Sequence, residues 1–171
     1  MEIRAATAAD IAEIQSIYAH HVLTGTGTFE ETPPSVEEMA ERFAKVQEHG
    51  GSWLVATDPT GVLGFAYYTQ FRDRSAYRCC AEDSVYVRED VRGQGVGKAL
   101  VNRLVDEATA AGMRQMIAVI GDSENTGSIG VHASLGFHMV GTMRAVGIKF
   151  GRWLDVVTMQ RTLGKGDADI P

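Results

Sequence analysis

Apolar residues near the start of the chain recur three and four apart, at Ile11, Ile14, Tyr18 and Val22, which predicts an amphipathic helix. Ahead of it, Ile3 to Ala6 is a short extended segment, and Thr7-Ala8-Ala9-Asp10 has the layout of a capping box. Gly25 and Gly27 end that helix, and a loop follows through Pro33-Pro34. Ser35 to Glu38 repeats the capping signal before a second helical stripe of Val36, Met39, Phe43 and Val46, stopped at Gly50-Gly51. The period then changes. Ser52 to Thr57 and Val62 to Thr69 read as strands joined by the turn residues Asp58-Pro59-Thr60-Gly61, and Arg78 to Arg88 as a third long strand. Leu100, Leu104, Val105 and Ala108 mark the core face of a helix over Val96 to Ala111. Gln115 to Ile120 reads as a buried strand and Asn125 to Leu135 as a short helix closed by Gly136. Two last strands are expected, Phe137 to Gly147 and Arg152 to Arg161, with Trp153, Phe150 and Tyr86 as packing aromatics. The alternation in the second half implies a partly parallel sheet with helices on its faces. Residues 1–163 are expected to form a single domain, and the polar stretch 164–171 a flexible tail.

Composition narrows the function. With 171 residues and 44% hydrophobic content, the chain can bury a core without disulfides or metals. The net charge of −6, with no block of Lys or Arg, argues against nucleic-acid and anionic-membrane partners, so a phosphate-bearing ligand must be held by local geometry. The two cysteines, Cys79 and Cys80, are neighbours, a poor arrangement for a structural disulfide, and read as reduced thiols in a cytoplasmic protein. The five histidines are scattered, and no His, Cys and carboxylate set has metal-ligand spacing. No signal-peptide layout and no membrane-length apolar run is present.

The stretch with the most chemical content runs Val85-Tyr86-Val87-Arg88-Glu89-Asp90-Val91-Arg92-Gly93-Gln94-Gly95-Val96-Gly97-Lys98. A strand enters a polar turn, then a glycine-rich loop, then a helix. The three alternate glycines let main chain approach a ligand closely. The first turn of the helix offers unpaired, partly positive amides, so phosphate oxygens can bind there without a basic surface. A Walker loop does not fit, because Gly93 and Gly97 are too close and Ala99 follows Lys98; the dinucleotide fingerprint fails because Lys98 stands where its third glycine belongs. The competing reading is a glycine-rich corner that binds nothing.

Arg92-Gly93-Gln94-Gly95-Val96-Gly97 resembles the acetyl-CoA signature of the GNAT acetyltransferase superfamily, and the order of elements is similar to that fold over nearly the whole chain. The resemblance implies an α+β (mixed α/β) fold: a central, mixed, largely antiparallel twisted sheet of about seven strands flanked by about four helices. It also implies acetyl-CoA as co-substrate. The diphosphate would lie on the loop amides from Arg92 to Lys98, and the pantetheine arm beside Val85, Tyr86 and Val87. The block from Asn125 to Phe137, ending Leu135-Gly136-Phe137, resembles the family's late helix. It maps a pantetheine contact onto Asn125, includes Ser134 among the cofactor-side residues, and puts His132 where the family usually carries the Tyr that protonates the leaving thiolate. Imidazole can donate a proton near neutral pH, so His132 is the candidate acid.

Phe71 to Tyr77, His132, Lys149 to Asp155 and Gly27 to Glu31 together resemble the phosphinothricin and methionine sulfoximine N-acetyltransferase group. That implies an acceptor with an α-amino acid head and a tetrahedral side-chain oxo group, and a homodimer. An α-amino group titrates near pKa ~7.7–8.0, so direct attack on the thioester needs a base. Glu82, on the strand bearing Val85 and Val87, is the candidate; Asp83 is its rival, and a solvated carboxylate the plain alternative. A strand amide near Val85 would polarise the thioester carbonyl. Arg72 and Arg74, with Ser75, Ala76 and Tyr77, are candidates for gripping the acceptor's anionic groups, against a solvated basic loop. Phe29 and Glu30 would wall the acceptor pocket, with a core anchor under the loop as the alternative reading of Phe29. Lys149 and Arg152 read as solvated or at a subunit contact, and neither His20 nor His21 is given a role. A protein N-terminal acetyltransferase with an open groove, and a non-catalytic CoA sensor, are the alternatives.

Overall fold

The computed structural model describes residues 1–171. The strands are β1 (Glu2–Ala5), β2 (Trp53–Asp58), β3 (Gly61–Gln70), β4 (Cys80–Val87), β5 (Gln115–Gly121), β6 (His138–Lys149) and β7 (Arg152–Thr162). The helices are α1 (Ile11–Thr24), α2 (Val36–Glu48), α3 (Val96–Ala110) and α4 (Thr126–Ser134). The strands form one sheet in the order β1-β2-β3-β4-β5-β7-β6. Only β4 and β5 run parallel; the other neighbours are antiparallel. The fold is thus the mixed, largely antiparallel one that the resemblance implied.

Both expected capping boxes are present. Ser35 Oγ accepts from the Glu38 amide at 3.1 Å while Glu38 returns the bond to the Ser35 amide at 2.7 Å. Asp10 accepts from the Thr7 amide at 2.8 Å and from both ends of the Arg4 guanidinium, which ties β1 to the start of α1. The Arg4 bond, with Thr7 helping, holds the Asp10 carboxyl down at about 2.

The sheet divides two cores. On one face α1 and α2 bury Ile14, Met39 and Val22 against Trp53, Val55 and Phe65. On the other, Leu100 and Leu104 of α3 pack on Ala66, Met116 and Met159. Each fully buried Leu contributes roughly 2 kcal/mol by removal from water. Alternation along β4 therefore sends Ala81, Asp83, Val85 and Val87 toward α3 and α4, and Glu82, Ser84 and Tyr86 toward α1 and α2.

Three expectations are corrected. Strand β4 begins at Cys80, not Arg78, because Ser75–Tyr77 winds into a single 3-10 turn with Tyr77 edge-on to Phe71. Trp153 and Phe150 are not core aromatics: Trp153 is 64% exposed, since they sit on the β6–β7 hairpin that forms one edge of the sheet. Lys149, expected in solvent or at a subunit contact, is buried within the chain itself. At the C-terminal end, Leu163 is buried, and Arg114 donates to the Gly166 carbonyl at 3.3 Å and to Asp169 at 2.6 Å.

Candidate active site

The parallel pairing of β4 with β5 covers four residues, from Cys80 against Gln115 to Asp83 against Ala118. Beyond that point each strand follows its other neighbour. β4 stays on β3 as far as Val87 against Gly64, and β5 stays on β7 as far as Gly121 against Val156. The two strands therefore splay apart, and a cleft of about 870 Å³ opens between Ser84–Val87 and Val119–Gly121. Its floor begins at Asp83; its rim is the glycine loop on one side and the start of α4 on the other.

The loop has the geometry that its sequence suggested. Gly93 and Gly95 take φ of +76° and +85°, the left-handed region, and Gly95 caps α3. No atom lies within 4 Å of where a side chain would begin at either residue, so the loop presents bare main chain to the cleft. The first bond of α3 runs from the Ala99 amide to the Gly95 carbonyl at 3.0 Å, which leaves the amides of Val96, Gly97 and Lys98 ahead of it as donors at the cleft mouth. A Cβ at Gly97 would meet Val87 at 3.4 Å and Val85 at 4.0 Å, so the first turn of the helix lies close on β4.

His21, given no role from sequence, lines this cleft. It is buried on α1, and its Nε2 donates to the Val87 carbonyl at 2.9 Å. Burial, against the pull of that carbonyl, lowers its pKa, so the ring is neutral with its proton on Nε2. Its Nδ1 then faces Arg92 Nη2 at 3.4 Å. His21 thus ties the end of β4 to the Arg of the glycine loop. The signal was present in the spacing, since His21 lies three residues past Tyr18 on the stripe that α1 buries.

On the opposite rim, Asn125 caps α4 by accepting from the Ser128 amide at 3.2 Å, and its Nδ2 faces the Gly121 carbonyl at 3.4 Å. Ser134 donates to the Val131 carbonyl at 2.8 Å. Both line the cleft. Asp122, at φ +71° just after β5, caps the Glu124 amide and pairs with Arg152 at 2.6 Å, so Arg152 braces this rim instead of lying free. His132 is buried, its Nδ1 2.8 Å from the Ser128 carbonyl and its Nε2 2.9 Å from Asp83 Oδ2. Burial would lower its pKa, but the hydrogen bond and charge of Asp83 outweigh it and raise the net value.

Glu82 is on the other face of β4 and does not line the cleft. Across from it lies Thr69, two pairs along the register from Tyr67 opposite Ser84 and so on the same face. Burial, then the neighbouring Asp83 charge, push its pKa up, opposed by Arg72. Arg72 is exposed and stacks over Phe71, its guanidinium 5.0 Å from the ring centre. The main chain of this loop is fixed by Gln70, whose Nε2 donates to the Arg72 and Arg74 carbonyls. Arg74, Ser75 and Ala76 are exposed and Tyr77 is half-buried, all outside the cleft. Glu30 is clamped by Arg42 at 2.7 Å and Tyr18 at 2.8 Å; these bonds outweigh burial and lower its pKa. Lys149 donates to the Gly25 and Thr28 carbonyls, 2.8 Å each, and Phe29 lies on Gly147 of β6 with no room for a side chain there. The Gly25–Glu30 loop is thereby fastened at both ends.

Comparison with known proteins decides what this architecture is. Residues 3–158 match the family model described as an acetyltransferase (GNAT) domain. The chain belongs to the GNAT acetyltransferases. It is 51% identical to a phosphinothricin N-acetyltransferase of Alcaligenes faecalis over 95% of this chain and 82% of that one. It is 43% identical to an L-methionine sulfoximine/L-methionine sulfone acetyltransferase of Pseudomonas aeruginosa over 94% of each chain. Among solved structures, a GNAT superfamily phosphinothricin acetyltransferase from Sinorhizobium meliloti in complex with acetyl-CoA superposes with a TM-score of 0.96, at 50% identity, covering 99% of this chain and 92% of that one.

As a GNAT enzyme the chain is an acetyl-CoA-dependent N-acetyltransferase, and the cleft fits that co-substrate. The left-handed glycines and the free amides of Val96 to Lys98 suit a diphosphate. Strand β4 has no partner on its β5 side from Ser84 to Val87, so an amide-bearing arm can pair there as a strand would. What bound acetyl-CoA supplies is a thioester, an acyl group on a good leaving group. What the sequence did not reveal are pairings with distant partners: His21 with Val87, Asp83 with His132, and Lys149 with the Gly25–Thr28 loop.

Proposed function

We propose that this enzyme acetylates the α-amino group of a small amino-acid-like acceptor of the phosphinothricin, methionine sulfoximine or methionine sulfone type, by direct attack on the thioester, with Glu82 as base. The observation that carries the reading is the position of Glu82 two residues before the splay, on the face that also bears Ser84, Tyr67 and Tyr86. The acceptor comes from that face and acetyl-CoA from the cleft, so amine and thioester meet through the gap between the strands. A raised carboxyl pKa brings Glu82 closer to the α-amino group it must deprotonate. The Arg72 charge acting on Glu82 puts a cation within reach of the acceptor's acidic groups. Relatives named for these acceptors support the choice.

The fastened Gly25–Glu30 loop favours a closed pocket over the open groove that a protein N-terminus would need. The test is thiol release from acetyl-CoA with phosphinothricin, methionine sulfoximine, methionine sulfone and a short peptide as acceptors. Turnover of the peptide alone would overturn the acceptor class.

We also propose a cytoplasmic homodimer, built on the β6–β7 edge. Met139, Val140, Met143, Val146, Ile148 and Trp153 are all more than half exposed there, so this sheet edge presents large apolar side chains to solvent.

A further inference from the structure

Two side-chain polar atoms are buried without a partner, Trp53 Nε1 and Asp83 Oδ1. An unpaired buried carboxylate oxygen costs roughly 1–3 kcal/mol or more, and native proteins rarely retain one without use. Asp83 lines the floor of the acetyl-CoA cleft, at the last pair before β4 and β5 separate. Its other oxygen is taken by His132. His132 is itself fully committed: Nδ1 faces the Ser128 carbonyl and Nε2 faces Asp83, so neither nitrogen is free to meet a substrate atom. The chemistry of this pair therefore leaves through Asp83 Oδ1.

The reaction moves two protons. An α-amino group arrives mostly as an ammonium at neutral pH and must lose one proton before it has a lone pair. It carries a second after the nitrogen has bonded to the acetyl carbon, and the departing sulfur needs one. We propose that Asp83 carries this second proton: Oδ1 takes it from the acylated nitrogen and delivers it to the sulfur, with His132 as the positioning residue whose bond to Oδ2 fixes the rotation of the carboxylate. In atoms, the N–C bond forms and the C–S bond breaks with its electron pair on sulfur. The proton lost by nitrogen becomes the S–H, and Asp83 ends as it began. Both transfers run downhill, since an acylated ammonium is a stronger acid than a carboxylic acid, and a carboxylic acid a stronger one than a thiol near pKa ~8.5. Glu82, on the far face of β4, is left with the first proton, and the proposal rests on the base reading of Glu82 for that step alone. The groups facing Asp83 are few: His132 from α4, Tyr68 opposite it on β3, uncharged Ala118 on β5, and Glu82 beside it on the other face.

The division of labour can be read from single-turnover rates of acetyl transfer at pH 7 and pH 9 for wild type, Asp83→Asn, Glu82→Gln, His132→Gln and the Asp83→Asn/His132→Gln double variant. At pH 9 the amine is already free, so Glu82→Gln should recover toward wild type while Asp83→Asn stays about 10²-fold slow at both pH values, with acetyl-CoA affinity within twofold. The double variant should be no slower than Asp83→Asn, because His132 acts through Asp83. An Asp83→Asn rate within threefold of wild type, recovery of that variant at pH 9, or additive losses in the double variant would each overturn the proposal. Should Asp83→Asn not fold, an unchanged rate in His132→Gln overturns it alone. If wild type acetylates none of the amino-acid acceptors but does acetylate another amine, the acceptor reading falls by itself, and the same comparison on that amine decides the role of Asp83.

Discussion

Adjacent residues on a strand serve opposite faces, and the site uses this at Glu82 and Asp83. Glu82 looks toward the side proposed for the acceptor, where burial and the Asp83 charge raise its pKa, so the carboxylate form that a base needs is gained at higher pH than for an ordinary carboxylate. Glu82→Gln should lower kcat at pH 7 by roughly 10²–10³-fold. Isothermal calorimetry should meanwhile show acetyl-CoA affinity unchanged, because Glu82 does not line the cleft. Equal rates in the two proteins would remove Glu82 from the base role. Lys149 acts at the same scale but by position. Burial lowers its pKa, yet its ammonium serves two carbonyls of the Gly25–Thr28 segment. Lys149→Met would leave both acceptors unpaired, at about 1–3 kcal/mol each. The expected result is a lower Tm together with a KM for the acceptor that rises more than the Kd for acetyl-CoA. A KM that stays fixed would mean that the loop does not shape the acceptor pocket.

Among elements, the strand–loop–helix unit from β4 to α3 is the most self-contained. Its glycines, its apolar stripe and the preceding strand all lie within one short stretch, which is why the geometry of the strand, loop and helix was legible in the sequence. Gly95→Val forces a β-branched residue to φ +85° and sets its side chain in the cleft, so acetyl-CoA binding should become undetectable by calorimetry. Normal affinity would show that the diphosphate lies elsewhere. The capping boxes were legible for the same reason of local spacing, and one of them predicts acid sensitivity. Asp10 has its folded pKa depressed to about 2, so its contribution is complete above the ordinary carboxylate range and is lost as pH falls toward 2. Asp10→Asn should therefore cost about 1–2 kcal/mol at pH 7 by denaturant melts, discounted for the partial exposure of Arg4, with the gap closing near pH 2. A constant gap would assign the loss to packing. Other features could not be read this way. Asp83 meets His132 across 49 residues, and Lys149 reaches Thr28 across 121, so no local window contains either pair. His21 and Lys149 were passed over because burial of a polar side chain depends on what the sheet brings against it.

At the level of the whole molecule, one parallel pair in an otherwise antiparallel sheet makes the site. Two antiparallel blocks, β1 to β4 and β5 to β6, each keep their own twist, and where they meet at β4 and β5 only four pairs hold before the strands separate. The cleft between them needs the second block to stay rigid, yet that block ends in a hairpin whose outer strand is exposed almost throughout. The apolar character of that hairpin follows from its sequence, but its exposure does not, because alternation cannot tell a face packed on its own core from one packed on a second copy. Ile148 and Trp153 face each other across β6 and β7, both mostly exposed, and sit beside the Gly147 and Lys149 that hold the Gly25–Glu30 loop. A dimer through this edge would thus stiffen the acceptor side of both sites. Light scattering should give twice the chain mass for wild type at micromolar concentration, and Ile148→Glu/Trp153→Glu should give the monomer mass. In that variant the acceptor KM should rise while acetyl-CoA, bound mainly by the first block, keeps its affinity. A wild-type monomer at tens of micromolar would refute the dimer, and a monomeric variant with unchanged KM would uncouple the interface from the pocket.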